Sequence, residues 1–329
     1  MAMIPGLAKE LEDLKQDFTE IPSGGNGMFF AGKEGVRHIL TPRDNKAEFI
    51  VYDDKTLVFV KSQMGYPALY ELKEPEFQGP AEAVLMDLDG TSVKSEEFWI
   101  WIVQQVTAEL LGNPSFKLET EDEPHVSGHS VSEHLEYCIR KYCPAKTVEE
   151  ARRLYFSITH HEMKEILAGR GRKDAFVPSP GLKEFLLKLK SEGIKIGLVT
   201  SGLHEKAWPE IVAAFNTLDL GDPLEFYDAI ITAGYSLRKG QAGTLGELAP
   251  KPHPWLYAET ARVGLEMPLD KRNRIIGLED SSAGVLSIRL AGFQALGVAG
   301  GNIPRSGIKP LLSGYFDSLM DALPYILGN

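Results

Sequence analysis

The sequence predicts an α/β protein built on a doubly wound parallel sheet, and three observations predict it. From residue 81 onward, short apolar runs at Ala83–Met86, Ile194–Val199, Ala229–Ile231, Arg274–Leu278 and Gln294–Val298 alternate with amphipathic helical stretches. That alternation is the pattern of right-handed βαβ units whose helices cover both faces of a sheet. The first run, Ala83-Val84-Leu85-Met86, is continuously apolar, as expected of a strand buried on both faces. Polar and charged residues stand where these strands end: Asp87 and Asp89, Thr200, and Glu279-Asp280. Ligands of open α/β sheets bind beyond those carboxyl ends. Two acids one residue apart are costly to bury alone, so a cation or a reacting group is expected beside them.

Composition bounds the remaining possibilities. A length of 329 residues suffices for two or three domains. Hydrophobic residues at 43% and charged residues at 25% match ordinary soluble globular proteins. A formal net charge of -11, with no block of Lys and Arg, argues against a nucleic-acid or anionic-membrane partner. Cys138 and Cys143 make neither a disulfide framework nor a zinc site. Met1 to Leu11 lacks a basic region followed by an apolar core, so no signal peptide is expected. No run approaches the ~18 apolar residues of a membrane span. A soluble, cytoplasmic protein is the expectation.

In chain order, Leu7, Leu11, Leu14 and Phe18 recur at helical spacing and predict a helix over residues 6–19. Gly24-Gly25-Asn26-Gly27 breaks it. β-like runs follow at Met28–Phe30, Val36–Leu40, Phe49–Tyr52 and Leu57–Val60, with Asp53-Asp54-Lys55 as a hairpin turn. Pro75 and Pro80 frame a linker. Residues 1–80 thus read as a small α+β amino-terminal module, for which packing or oligomerisation is the expected role. Residues 81–93 and 178–329 form the Rossmann-like core. Residues 94–177 form an all-helical insertion on the loop after the first strand. Its helices begin at Ser95 with Glu96-Glu97, span Val131–Tyr142, and start again at Thr147 with Glu149-Glu150 before ending near Gly169.

The motifs Asp87-Leu88-Asp89-Gly90-Thr91, Val199-Thr200-Ser201, Lys251-Pro252-His253-Pro254 and Gly277-Leu278-Glu279-Asp280-Ser281-Ser282-Ala283-Gly284, in that order, resemble the haloacid dehalogenase-like superfamily. The last is most similar to the subgroup of β-phosphoglucomutase and small sugar-phosphate phosphatases. The resemblance covers about residues 81–329 and leaves the first 80 unexplained. It implies a Mg²⁺-dependent phosphoryl-transfer site. Asp87 resembles the nucleophile that forms an aspartyl-phosphate, and Asp89 the acid/base whose main-chain carbonyl contacts the metal. Thr200, with Ser201 and Gly202, resembles the hydroxyl and N–H groups that hold the phosphoryl oxygens, and Lys251 the cation that neutralises nucleophile and phosphate. Asp280 completes the metal site, with Glu279 as a ligand or a supporting acid. The second acid, Asp89, favours phosphate esters over halides, since a halide leaving group needs no proton. The helical insertion resembles the family's cap, and Val126-Ser127-Gly128-His129-Ser130 its substrate-specificity loop, giving His129 and Ser130 as substrate contacts. Lys94 stands where many relatives carry an acid, and the Gly-rich loop over residues 234–249 is longer than usual.

The expected activity is therefore phosphatase action on a small phosphorylated metabolite, a sugar or polyol phosphate. Two alternatives stand beside it. A phosphomutase uses the same two acids to return the phosphoryl group to sugar. A protein of another class would sense a phosphorylated ligand through this core, with residues 1–80 as its regulatory part. Oligomeric state is not legible. Two motifs are decoys. His160-His161-Glu162 lacks the second histidine four residues on that a zinc-protease helix needs. Gly297, Gly300 and Gly301 come late in the chain and read as a connecting loop, not a dinucleotide fingerprint.

Overall fold

The computed structural model describes residues 3–22, 34–60, 68–126, 131–172, 174–232, 235–236 and 250–328. Two compact units emerge, and their boundaries differ from the three expected segments. The first comprises Met1–Thr91, Pro180–Leu203 and Leu224–Asn329, so the amino-terminal residues belong to the same unit as the parallel sheet. The second comprises Ser92–Ser179 and His204–Pro223, which adds a helix from the core's share of the chain to the insertion.

In the first unit a seven-stranded sheet runs in the order Tyr235–Ser236, Ala229–Thr232, Lys195–Val199, Ala83–Asp87, Ile275–Glu279, Gln294–Val298, Gly314–Phe316. All pairs are parallel except the edge pair Ala229–Thr232 with Tyr235–Ser236. Ala83–Asp87 is central and fully buried. Because its flanking strands enter it from both sides, Asp87 emerges between the ends of Lys195–Val199 and Ile275–Glu279. That is a topological switch point of a doubly wound sheet. The final strand, Gly314–Phe316, and the helix Leu319–Leu327 were not expected, since three residues with an initial Gly give no strand signal.

The amino-terminal residues carry a five-stranded antiparallel meander: Phe18–Glu20, His38–Pro42, Ala47–Val51, Thr56–Val60 and Ala68–Glu71. The Asp53-Asp54-Lys55 turn is present, closed by Tyr52 N donating to the Lys55 carbonyl at 2.9 Å. The helix expected over residues 6–19 is not formed. Only Leu11–Leu14 is helical, flanked by the antiparallel pair Met3–Ile4 and Lys9–Glu10. Gly6 and Ala8 take positive φ, which a helix cannot use, and a Cβ at Gly6 would lie 2.3 Å from the Leu72 carbonyl oxygen. Leu7, Leu14 and Phe18 are buried as the periodicity asked, but from a tight turn, a single helical turn and a strand. The expected run at Met28–Phe30 lies outside the described residues. Leu14, Phe49, Val58, Val60 and Leu72 share one continuous apolar core with Val285, Leu286 and Ile288 of the helix Ser282–Leu290. The amino-terminal sheet is therefore part of the same core as the parallel sheet.

In the second unit, the helices Glu96–Leu111, Val131–Tyr142, Val148–Leu167 and His204–Leu218 carry the packing, with a two-residue ribbon of Val93–Lys94 and Val177–Pro178. Phe98, Ile102, Val103 and Val106 face inward at helical spacing, and Gly112 stops that helix in the left-handed conformation. Ser95 is its N-cap residue without a side-chain cap bond. Thr147 instead forms a full capping box: Glu150 N donates to Thr147 Oγ1 at 3.2 Å and Thr147 N to Glu150 Oε2 at 2.8 Å.

A buried acid fixes this unit. Asp122 accepts hydrogen bonds from Glu119 N, Tyr137 Oη and Lys141 Nζ, each at 2.7 Å, and from Tyr142 Oη. Burial pushes the carboxyl up, but the Lys141, Tyr142 and Tyr137 donors outweigh it and hold it well below the usual carboxylate range. A depressed folded value means that the stabilisation is complete above the unfolded carboxylate value near ~3.9 and is lost as pH falls through the folded one. Asp122→Asn is expected to cost roughly 2–3 kcal/mol at pH 7. In thermal melts from pH 7 to pH 2, the gap between variant and wild type should narrow only below about pH 4. A gap independent of pH would show that the charge contributes nothing.

Candidate active site

The side chains at the sheet's carboxyl edge converge around Lys251. Its ammonium donates to Asp87 Oδ1 at 2.5 Å and to Glu279 Oε1 at 2.6 Å, and all three side chains are buried. Tyr257 Oη donates to the same Glu279 oxygen at 2.7 Å. Ser281 supplies the other Glu279 oxygen with its N–H at 3.3 Å and its hydroxyl at 3.0 Å. Both oxygens of Glu279 are thus engaged by protein donors. Asp280 has a lighter set: Thr91 Oγ1 donates to it at 3.5 Å.

Two glycines explain how three acids fit in so small a space. Gly90 has φ of +86°, and a Cβ there would lie 2.0 Å from Asp280 Oδ2. A Cβ at Gly284 would meet the Glu279 carboxylate at 1.8 Å. Only glycine allows either approach. Gly301, which the sequence presents as part of a connecting loop, also lies against Asp280, with Oδ2 2.5 Å from where a Cβ would be.

Asp89 stands apart from this group. It is exposed, and its Oδ2 accepts from Thr200 Oγ1 at 3.3 Å. Thr200 is buried at the end of its strand, where Gly202 N donates back to its hydroxyl at 2.8 Å. Ser201 Oγ accepts from Lys251 N at 3.2 Å, tying the two loops together. The structure therefore gathers Asp87, Lys251, Glu279 and Asp280, and adjoins Asp89, Thr200, Ser201 and Gly202 to them. His129, Ser130 and most of the loop over residues 234–249 lie outside the described residues. Tyr257 and Thr91 were not among the candidates. Tyr257 sits six residues past Lys251 on a helix, with no motif to mark it.

The electrostatics follow from the geometry. Burial pushes the Asp87 carboxyl well above its usual range, Glu279 adds to this, and Lys251 opposes both. Asp280 is pushed up to about 8, chiefly by burial and by Glu279. Burial pulls the Lys251 ammonium down, but Asp87 and Glu279 more than offset it, so the lysine stays charged. One cation among buried carboxylates leaves a negative surplus. Oxygens of Asp87, Glu279 and Asp280 lie within 4.8 Å of one another, a hard-oxygen set that fits a divalent cation.

Buried carboxylates, a bridging lysine and a threonine at the carboxyl edge of a doubly wound sheet mark this as the candidate site of the first unit. The comparisons narrow it. Residues 84–231 match the family model described as haloacid dehalogenase-like hydrolase. The chain is 26% identical over 232 residues to the beta-phosphoglucomutase of Bacillus subtilis (strain 168), covering 67% of this chain and 84% of that protein. Its fold is similar to a predicted phosphoglycolate phosphatase from Haemophilus somnus 129PT, with a TM-score of 0.55 at 18% identity over 75% of this chain and 99% of that one. It is also similar to CbbY from Rhodobacter sphaeroides in complex with phosphate, with a TM-score of 0.51 at 21% identity over 74% and 96% of the two chains. At these identities the structural likenesses speak for the fold. Among the described residues no helix is long and apolar enough to cross a membrane.

Proposed function

We propose that the protein is a phosphatase that hydrolyses a small phosphorylated metabolite, a sugar or polyol phosphate, through an aspartyl-phosphate on Asp87. The observation that carries this reading is the contrast between two acids at one strand end: Asp87 is buried 2.5 Å from the Lys251 ammonium, while Asp89 is exposed beside Thr200. Two carboxylates in such different surroundings suit two different tasks. Asp87 Oδ attacks phosphorus, and the bond to the leaving alcohol oxygen breaks as Asp89 gives that oxygen its proton. Asp89 then takes a proton from water, the water oxygen bonds to phosphorus, and phosphate leaves as Asp87 is regenerated. Lys251 draws the Asp87 carboxyl back toward ionisation against burial and offsets charge on the phosphoryl oxygens, and Thr200, beside Asp89, brings its hydroxyl to them. Mg²⁺, held by Asp87 and Asp280 with Glu279 supporting Lys251, would supply further neutralisation of that charge.

The test is release of phosphate from an aryl phosphate, then from a panel of sugar and polyol phosphates. With excess Mg²⁺ turnover is expected. Excess chelator should remove it by at least about a hundredfold, and added Mg²⁺ should restore it. Full turnover in chelator would overturn the metal assignment. The named relative in Bacillus subtilis favours a second reading, a sugar phosphomutase. Products from β-glucose 1-phosphate separate the two: free sugar and phosphate, or an isomeric sugar phosphate.

A further inference from the structure

The antiparallel sheet over residues 18–71 reaches two of the loops that build the site. Tyr70, in the last strand of that sheet, shares a hydrogen bond of 2.9 Å with His253 Nδ1. Its ring also meets those of His253 and Trp255 edge-on, with centroids 6.0 and 6.2 Å away. His253 is buried two residues past Lys251, and its carbonyl accepts from Ser287 Oγ at 2.6 Å. The Lys251-Pro252-His253-Pro254 segment is therefore clamped between the sheet and the helix Ser282–Leu290.

The second loop has its own tie. The Ser282 hydroxyl donates to Asp44 Oδ2, and Ser282 is fully buried, two residues past Asp280. Asp44 is itself fixed: its N–H donates to the Ser306 carbonyl at 3.1 Å, and its Oδ1 accepts from Lys46 N at 3.2 Å. Ser282 N donates to Asn302 Oδ1 at 2.8 Å, so the residue after Ser281 is held from two sides. A hydroxyl-to-carboxylate bond of this kind is charge-assisted, stronger than a neutral one, and directional.

We infer that the amino-terminal sheet sets the positions of Lys251 and of Glu279-Asp280, with Tyr70 and Asp44 as its positioning residues. Neither residue need touch substrate. Each acts through a neighbour, Tyr70 through His253 and Asp44 through Ser282. Two loops on opposite sides of the central strand must meet for Lys251 to bridge Asp87 and Glu279, and misplacement by about 1 Å can cost a hundredfold in rate. One rigid sheet bonded to both loops supplies that alignment.

The inference rests on the phosphatase reading, so the experiment separates the two. Full-length Tyr70→Phe, Asp44→Ala and Asp44→Asn are compared with wild type and with Arg37→Ala, which removes only an exposed ion pair to Asp53 in the same sheet. Steady-state kinetics with p-nitrophenyl phosphate and Mg²⁺, Mg²⁺ titration calorimetry, and amide hydrogen exchange of peptides spanning residues 250–256 and 281–287 are the readouts. Tyr70→Phe and Asp44→Ala should lower kcat about five- to twentyfold with KM within about twofold, since aligned reacting groups matter more in the transition state than in the bound ground state. Exchange should rise in the first peptide for Tyr70→Phe and in the second for Asp44→Ala, which should also bind Mg²⁺ several-fold more weakly. Asp44→Asn, which keeps an acceptor for Ser282, should recover most of the loss, and Arg37→Ala should match wild type. An inactive wild type would sink the phosphatase reading while exchange and Mg²⁺ binding still test the coupling. An active wild type with unchanged kcat and exchange in Tyr70→Phe and Asp44→Ala would overturn the positioning role.

Discussion

Asp87→Asn is expected to lower phosphate release by at least about a thousandfold and to leave the fold intact, a loss in the range seen when a covalent nucleophile is removed. Asparagine fills the same volume at the end of the buried Ala83–Asp87 strand, so no cavity opens. Its amide can still accept from Lys251 through the oxygen at the Oδ1 position, but it cannot carry a phosphoryl group as an acyl phosphate. The electrostatic consequence is what distinguishes this variant from a merely destabilised one. Asp87, Glu279 and Asp280 crowd within 4.8 Å of one another around a single lysine. Removing one carboxylate relieves like-charge repulsion, so the thermal midpoint without divalent metal should equal or exceed that of wild type. Added Mg²⁺ should raise the wild-type midpoint more than the variant's, because ligand binding to the folded state stabilises in proportion to its affinity. Turnover by Asp87→Asn near the wild-type rate would falsify the nucleophile, whatever its stability.

The sequence was most legible where burial and chemistry coincide. A continuously apolar strand ending in Asp-x-Asp-Gly-Thr leaves few structural options, and Ala83–Asp87 is the central strand with Asp87 at its edge. The same holds for Lys195–Val199 before Thr200 and for Ile275–Glu279, whose boundaries lie within a residue or two of expectation. Val131–Tyr142 matches residue for residue because its buried positions, His134, Leu135, Cys138 and Ile139, repeat at helical spacing without competition. Residues 6–19 failed because periodicity reports which side chains are buried, not which backbone buries them. Leu7, Leu14 and Phe18 are inside, yet Gly6 must pass against the carbonyl of Leu72, which lies just past the strand Ala68–Glu71, far along the chain. Tyr257 and Gly301 were missed for a related reason. Each belongs to the site only because the sheet brings its segment to Glu279 or Asp280, and neither carries a local pattern. The same limitation concealed the standing of residues 1–80, whose strands are readable in sequence but whose packing partner is not.

That packing partner leads to the second large effect. A chain beginning at Gln78 is expected not to reach a native fold. Leu14, Phe49, Val58, Val60 and Leu72 are almost fully buried in one cluster with Val285, Leu286 and Ile288, so truncation strips one face of the helix Ser282–Leu290. Each large apolar side chain left in water forfeits about 1.5–3 kcal/mol, and a few of these approach the ~5–15 kcal/mol by which a whole domain is stable. A polar loss adds to the apolar one. Arg289 is buried in that helix, and its guanidinium donates to the carbonyls of Gly6 at 2.9 Å, Lys73 at 3.0 Å and Leu311 at 3.0 Å. Burial pulls it down to about 10 even though Glu74 opposes the shift, and of those three acceptors only the Leu311 carbonyl survives truncation. A buried charge stripped of its partners costs several kcal/mol more. The shortened chain should therefore aggregate on expression, or bind a hydrophobic dye with weak near-ultraviolet circular dichroism, while the full chain melts cooperatively. A soluble Gln78–Asn329 chain melting within a few degrees of full length would show that the sheet is an appended module. In that case Tyr70 and Asp44 could not be holding the catalytic loops, because the loops would stand correctly without them.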